Sequence, residues 1–152
     1  MVQHIESKFQ FEVNIEGLPA MRFQSLDGLR KSVAVSEYRE GGTPTYIEKF
    51  SGLATYDPVT LRRGIVAHDS INEEIDNWIK MVDDPTSFGT PLDYKKSITI
   101  IEYSKDGTII REVRLYNAWI SSVIPGSWDA TSSDRQLLEL EITFDYFEQI
   151  WR

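Results

Sequence analysis

A mainly β protein with one packed helix is what this sequence predicts. Three observations carry that expectation. Apolar residues alternate with polar ones at a period of two over most of the 152 residues. Only one segment carries an apolar stripe at helical spacing, and Gly and Pro interrupt the chain at intervals suited to turns rather than to long helices. The expected architecture is a β-barrel or sandwich of about seven to eight strands, with the helix at roughly residues 70–82 packed against it. Nothing repeats, and no low-complexity stretch divides the chain, so residues 1–152 are expected to form a single domain.

Residues 9–16 place Phe9, Phe11, Val13 and Ile15 on one face and Gln10, Glu12, Asn14 and Glu16 on the other, as a half-buried strand requires. Gly17-Leu18-Pro19 reads as a turn. Residues 29–40 form a second long strand that alternates less cleanly through Val33, Val35 and Tyr38. The run Glu40-Gly41-Gly42-Thr43-Pro44 cannot continue a sheet interior, because Gly-Gly is unrestrained and Pro lacks a ladder donor; it is expected to be a mobile hairpin tip. Extended segments at 45–50 and 58–63 complete a long ribbon.

The helix is announced by Asp69 or Ser70 as N-cap and by Glu73 and Glu74 in the first turn, where the dipole favours acids. Ile71, Ile75, Trp78, Ile79 and Val82 form its apolar stripe, and Asp83-Asp84-Pro85 stops it. After a loop over 86–93, strands follow at 97–104 and 108–116 about a Lys105-Asp106-Gly107 turn, then at 118–124 up to Pro125-Gly126. Residues 136–149 read as one closing strand, with Leu138, Leu140, Ile142, Phe144 and Tyr146 opposite Glu139, Glu141, Thr143 and Asp145.

Apolar residues are 41% and charged ones 26%, ordinary for a globular protein, and no apolar stretch is long enough for a membrane helix. The first ten residues have no apolar core of a signal peptide, which predicts synthesis in the cytoplasm. The net charge of −8 argues against a protein that grips phosphates and suits a surface past which acidic cargo slides; it also serves solubility.

No catalytic, cofactor or metal site is expected. There is no cysteine, and the two histidines, His4 and His68, have no partner at ligand spacing. Asp69 and Glu73 near His68 are explained as a helix cap and a first-turn acid. GxSxG, Walker A and GxGxxG patterns are absent, and no helix start follows Asp27-Gly28 or Gly41-Gly42. Of the four tryptophans, Trp78 belongs to the helix stripe and the core, whereas Trp128, after Pro125-Gly126-Ser127, and Trp151, at the end of the chain, are candidates for a subunit interface.

Several segments, in order, resemble the tail-tube family of contractile phages, R-type pyocins and extracellular contractile injection systems. They are FQFEVNIEGLPAMRFQSLDGL at 9–29, Glu37-Tyr38-Arg39-Glu40-Gly41-Gly42, Leu61-Arg62-Arg63-Gly64 ahead of the Trp78 helix, Leu115-Tyr116-Asn117-Ala118-Trp119, and the strand at 138–146. One departure stands out: Ile120 follows Ala118-Trp119 where the family usually has Pro. A similarity of fold also extends to the ring-forming haemolysin-coregulated protein of type VI secretion.

The resemblance implies the phage tail tube fold and a structural subunit of an inner tube, assembling as stacked hexameric rings into a hollow conduit. Implied partners are further copies, a sheath, a baseplate and spike hub, a tape-measure protein and a cap, with an effector or DNA passing through the lumen. Implied too is residence in a phage tail or a tail-like particle. A specialised ring beside the baseplate, which initiates the tube, is an alternative within the same machine; a β-barrel binding module is another.

Against that background, residues 40–44 (Glu40, Gly41, Gly42, Thr43 and Pro44) are expected to reach a neighbouring subunit or the next ring. Some of Glu12, Glu139, Glu141 and Asp145 are expected to line the lumen. Alternation does not say which side is outward, so the same faces could meet solvent on the outside.

Overall fold

The computed structural model describes residues 10–21, 23–39, 41–42, 45–65, 69–84, 94–131 and 136–152. Among them the elements are β1 (Gln10–Ile15), β2 (Ser25–Asp27), β3 (Lys31–Tyr38), β4 (Glu48–Tyr56), β5 (Val59–Gly64), α1 (Ser70–Asp83), β6 (Lys96–Tyr103), β7 (Ile109–Ile124), β8 (Leu137–Thr143) and β9 (Tyr146–Trp151). The fold is mainly β with one helix, as the sequence predicts.

One sheet has the antiparallel order β1-β6-β7-β8-β5-β2, and β9 joins it along β7. The sheet is open but curls: Val13 and Met21 exchange two backbone hydrogen bonds of 3.1 Å, so the chain leading into β2 ties the β1 edge. Inside lie Val13, Ile15, Met21, Phe23, Val59, Leu61, Ile98, Ile100, Val113, Leu115, Leu140, Ile142 and Phe144. Most of them are the inward half of the alternation in β1, β5, β6, β7 and β8.

The helix closes this core with Ile75 and Trp78, both 1% exposed. Asp69 caps it by accepting from the Ile71 N–H at 3.1 Å, and the Asp84 N–H returns to the Lys80 carbonyl at its end. Asp69 also holds the guanidinium of Arg63. Arg63 points inward from β5 and is 8% exposed, so one carboxylate both starts the helix and answers a buried cation. Asp69→Ala is expected to lower stability by about 2 kcal/mol, because the cap and the ion partner disappear together. Asp69→Asn keeps the cap and should recover part of the loss; chemical denaturation of the two variants separates the contributions.

Three segments differ from the sequence expectation. Residues Ile109–Ile124 form one 16-residue strand, β7, where two strands at 108–116 and 118–124 were expected. Between the pairs Lys96–Ala118 and Ile98–Leu115, β7 carries Tyr116 and Asn117 against Ser97 alone, which is a bulge. Asn117 takes φ +55° there, a conformation Asn tolerates and β-branched residues do not, and its Nδ2 donates to Asp145 at 2.8 Å. Asn117→Val should cost about 2 kcal/mol and Asn117→Gly much less, as thermal unfolding of the pair would reveal.

The closing segment expected as one strand is two, β8 and β9, which run along the same edge of β7. Trp119–Thr143 and Tyr116–Tyr146 keep one register across the break, and Phe144 is buried while Tyr146 is exposed. Finally, β4 extends to Tyr56, well beyond residue 50, and Gly52-Leu53 forms a bulge opposite Ala34 within it.

Candidate functional site

The ribbon begins inside the sheet. The β2–β5 pairs, Ser25–Arg62 to Asp27–Thr60, continue in the same register into the β3–β4 pairs from Lys31–Tyr56 onward. An Asp57 N–H to Arg30 carbonyl bond of 3.1 Å bridges the junction. Residues 25–38 and 48–64 are therefore one long hairpin, bent where Gly28 has φ +89° and Pro58 interrupts the opposite strand. A Cβ on Gly28 would sit 3.1 Å from the Pro58 carbonyl oxygen, so both the turn and the close approach need glycine there.

Beyond the bend the ribbon packs on almost nothing among the described residues. At its base Tyr56 rests against Phe147 and Phe144, with ring centroids 5.4 and 6.0 Å away. Past that clamp nearly every side chain of β3 and β4 is exposed, including Val33, Val35, Tyr38, Phe50 and Leu53, the last at 84%. The pairing places Val33, Val35 and Ala54 on one face and Tyr38, Ala34 and Phe50 on the other. Both faces are thus part apolar, which is why the alternation at 29–40 looks unclean in the sequence. A two-stranded ribbon with two exposed apolar faces is not stable on its own terms and calls for a cover.

Of the expected tip, Gly41 and Gly42 form an exposed turn with φ +107° at Gly42, while Glu40, Thr43 and Pro44 lie outside the described residues. Trp128 is exposed in the segment after β7, and Trp151 is exposed with the Arg111 guanidinium 5.1 Å from its ring centroid.

The four acids do not gather on one patch. Glu139 and Glu141 share the outward face of β8 with Thr60 and Arg62 of β5 and Ser122 of β7, where these residues line a shallow polar cleft. Arg62 bridges Asp27 at 2.7 Å and Glu139 at 3.1 Å, and these bonds raise its pKa further above the ordinary arginine value. Glu12 lies on β1, with β6 and β7 between it and β8, and accepts from the Tyr103 hydroxyl at 3.0 Å. Asp145 sits between β8 and β9 as the acceptor for Asn117.

Sequence reasoning named Arg63 only within the Leu61-Arg62-Arg63-Gly64 segment, with no role of its own, and did not name Glu112. Glu112 is 9% exposed and lies between Arg114 at 3.4 Å and Arg152 at 3.1 Å. The signal for Arg63 was its inward phase between Leu61 and the capping Asp69. His4 and His68 lie outside the described residues. Among the described residues no cluster of three metal-ligating side chains is present, and no helix is long and apolar enough to cross a membrane.

The described residues thus form a curled sheet, one capped helix and a long, largely exposed hairpin. Residues 7–148 match the family model described as T4-like virus tail tube protein gp19, and the chain belongs to that family. Among solved structures it is similar to a chain of the PVC extracellular contractile injection system sheath/tube terminator, at 28% identity over 99% of each chain and TM-score 0.80. A chain of the PVC sheath–tube complex in its extended state is 27% identical over 99% of this chain and 95% of that one, also at TM-score 0.80. The fold extends to Hcp1 of Flavobacterium johnsoniae, at 9% identity over 92% and 94% of the two chains and TM-score 0.55. No curated protein sequence matches the chain.

The motifs behind the resemblance have physical places in this fold. Glu37, Tyr38 and Arg39 end the ribbon, Leu61-Arg62-Arg63-Gly64 supplies a core residue, a surface clamp and the cap partner, and Leu115-Tyr116-Asn117-Ala118-Trp119 spans the bulge at Tyr116 and Asn117. Ile120 is 5% exposed and pairs with Ile142, beside a register shift at Ser121.

Proposed function

We propose that the whole chain acts as one tube domain, a structural and non-catalytic subunit of the inner tube of a contractile injection system or phage tail. Six copies form a ring, and rings stack into a hollow conduit through which an effector or DNA passes without specific binding. The observation that carries this reading is the β3–β4 ribbon, whose two apolar faces have no cover in a single copy. Covering them with neighbouring copies removes apolar surface from water at about 25 cal/mol per Å², repeated at every subunit. The tip at residues 40–44, Trp128 and Trp151 belong to these contacts.

Outside the tube the partners are a sheath, a baseplate and spike hub, a tape-measure protein and a cap, and the subunit, made in the cytoplasm, ends in a tail or tail-like particle. The similarity to chains of sheath–tube and sheath/tube terminator assemblies supports that reading.

The conduit wall is assigned to some of Glu12, Glu139, Glu141 and Asp145, with Glu139 and Glu141 first because they share one polar sheet face. Acidic groups along a wall repel acidic cargo and keep it mobile. Replacing all four by Lys should retard or arrest cargo in assembled tubes. Unchanged loading and release would remove the wall assignment.

Negative-stain electron microscopy of concentrated protein, with its sedimentation profile, tests the function directly. Six-fold rings or tubes are expected; a monomer that resists assembly even on purified baseplates would overturn the reading.

A further inference from the structure

The helix meets the curled sheet toward one end. Its capping residue reaches Arg63 near the end of β5, and the Trp78 ring donates to the Tyr94 carbonyl just ahead of β6 at 2.7 Å. At the opposite end, where β1 and β7 begin and β6 finishes, no helix covers the inward face among the described residues. The pairs Phe11–Glu102 and Glu102–Arg111 put these three side chains in one row across that end. They stand two residues from Val13, Ile100 and Val113, and so share the inward face with them.

This end of the fold is hollow. Phe11, Leu26, Ile100, Glu102, Arg111 and Val113 line a cavity of about 210 Å³. Four of these six residues are apolar, and an apolar cavity of about 150 Å³ is already large enough to hold benzene. The polar part of the wall is fixed before anything enters. Arg111 donates from Nε to Glu102 Oε2 at 2.8 Å and from Nη1 to Gln149 Oε1 at 3.1 Å, and its guanidinium lies 5.1 Å from the Trp151 ring centroid. The Glu102 side chain is only 14% exposed, yet its Oε1 accepts no hydrogen bond from the described residues. A carboxylate oxygen drawn away from water beside apolar walls favours an incoming donor. Small-molecule sites in the mouths of β-barrels share this make-up, with apolar walls and a few placed polar groups that set orientation.

We propose that this cavity binds a small aromatic molecule of phenol size that carries one hydrogen-bond donor. The ring lies among Phe11, Leu26, Ile100 and Val113, and its O–H or N–H donates to Glu102 Oε1. The site belongs to the single subunit and does not depend on the tube reading.

Phenol and toluene test it together, because they match in shape and differ in the donor. The free, unmodified chain is titrated with each in a calorimeter. Saturable binding of phenol is expected, at least about tenfold tighter than toluene, as a hydrogen bond to a charged group provides. Nuclear Overhauser contacts from the phenol ring to the methyl groups of Leu26, Ile100 and Val113 are expected in the same unmodified protein. Leu26→Trp fills the cavity and should abolish binding.

Lack of saturable phenol binding overturns the proposal, and so does toluene binding as tightly as phenol. Ring contacts elsewhere on the protein, or undiminished binding by folded Leu26→Trp, overturn it as well. The ring contacts are read on the parent chain, so they decide the matter even where the variant does not fold.

Discussion

Val35→Asp combined with Phe50→Asp is expected to abolish tube assembly while leaving the free subunit as stable as the parent. Both side chains are already more than half exposed, at 64% and 54%, so the monomer loses little by the change. Exposed substitutions of this kind usually stay within about 0.5 kcal/mol each. Assembly is different. Burial of each side chain is worth about 1.5–3 kcal/mol, and a carboxylate in the same place adds a desolvation cost. A combined loss above about 3 kcal/mol raises the concentration needed for assembly by more than about 100-fold. Sedimentation and negative-stain images report assembly, and a thermal melt reports the fold. Tubes of normal length at the parent's concentration would show that the ribbon is not the contact.

Trp78→Ala is expected to be the most damaging change to the fold itself. The ring is 1% exposed in the common core of helix and sheet, and its Nε1 donates to the Tyr94 carbonyl at 2.7 Å. Truncating a buried aromatic of this size costs about 3–5 kcal/mol, through lost transfer energy and the cavity left behind. The abandoned carbonyl adds to that. Trp78→Phe retains most of the packing and loses only the hydrogen bond, so it should cost less than half as much. Urea unfolding of the three proteins gives the ladder; equal losses for Ala and Phe would mean that the hydrogen bond, not packing, anchors the helix.

What the sequence disclosed followed the rules of one-sided burial. The helix was legible because Ile75 and Trp78 recur at helical spacing behind a capping Asp69, and it runs over Ser70–Asp83, one residue beyond the expected end. Strand β1 was legible because one face is core and the other is polar. The ribbon was legible as extended chain, but not its isolation, since apolar residues on both faces imitate a strand buried inside the protein. Bulges hid the rest. The strand expected to end at residue 50 continues through the Gly52-Leu53 bulge, and Asn117 looks like a break although β7 passes straight through it.

The candidate site was legible to a smaller extent. Glu139 and Glu141 do share a face, but the period of two could not foresee Arg62 clamped between Glu139 and Asp27, because Asp27 belongs to a three-residue strand too short to show a pattern. Nor could it separate Glu12 and Asp145 from them, since adjacency across strands depends on sheet order rather than on local sequence.

The bulge in β4 bears on timing. An apolar ribbon with open edges is a hazard in a crowded cell, because two such ribbons can zip together and aggregate before any tube exists. At the bulge Leu53 and Gly52 oppose Ala34, and a Cβ on Gly52 would lie 3.1 Å from the Ala34 carbonyl oxygen. The ladder is broken there and the twist is sharpened, so flat pairing along the full edge is frustrated. With a charge of −8 on every copy, free subunits also repel one another. A pool of free subunits can therefore stay dispersed instead of aggregating through their ribbons.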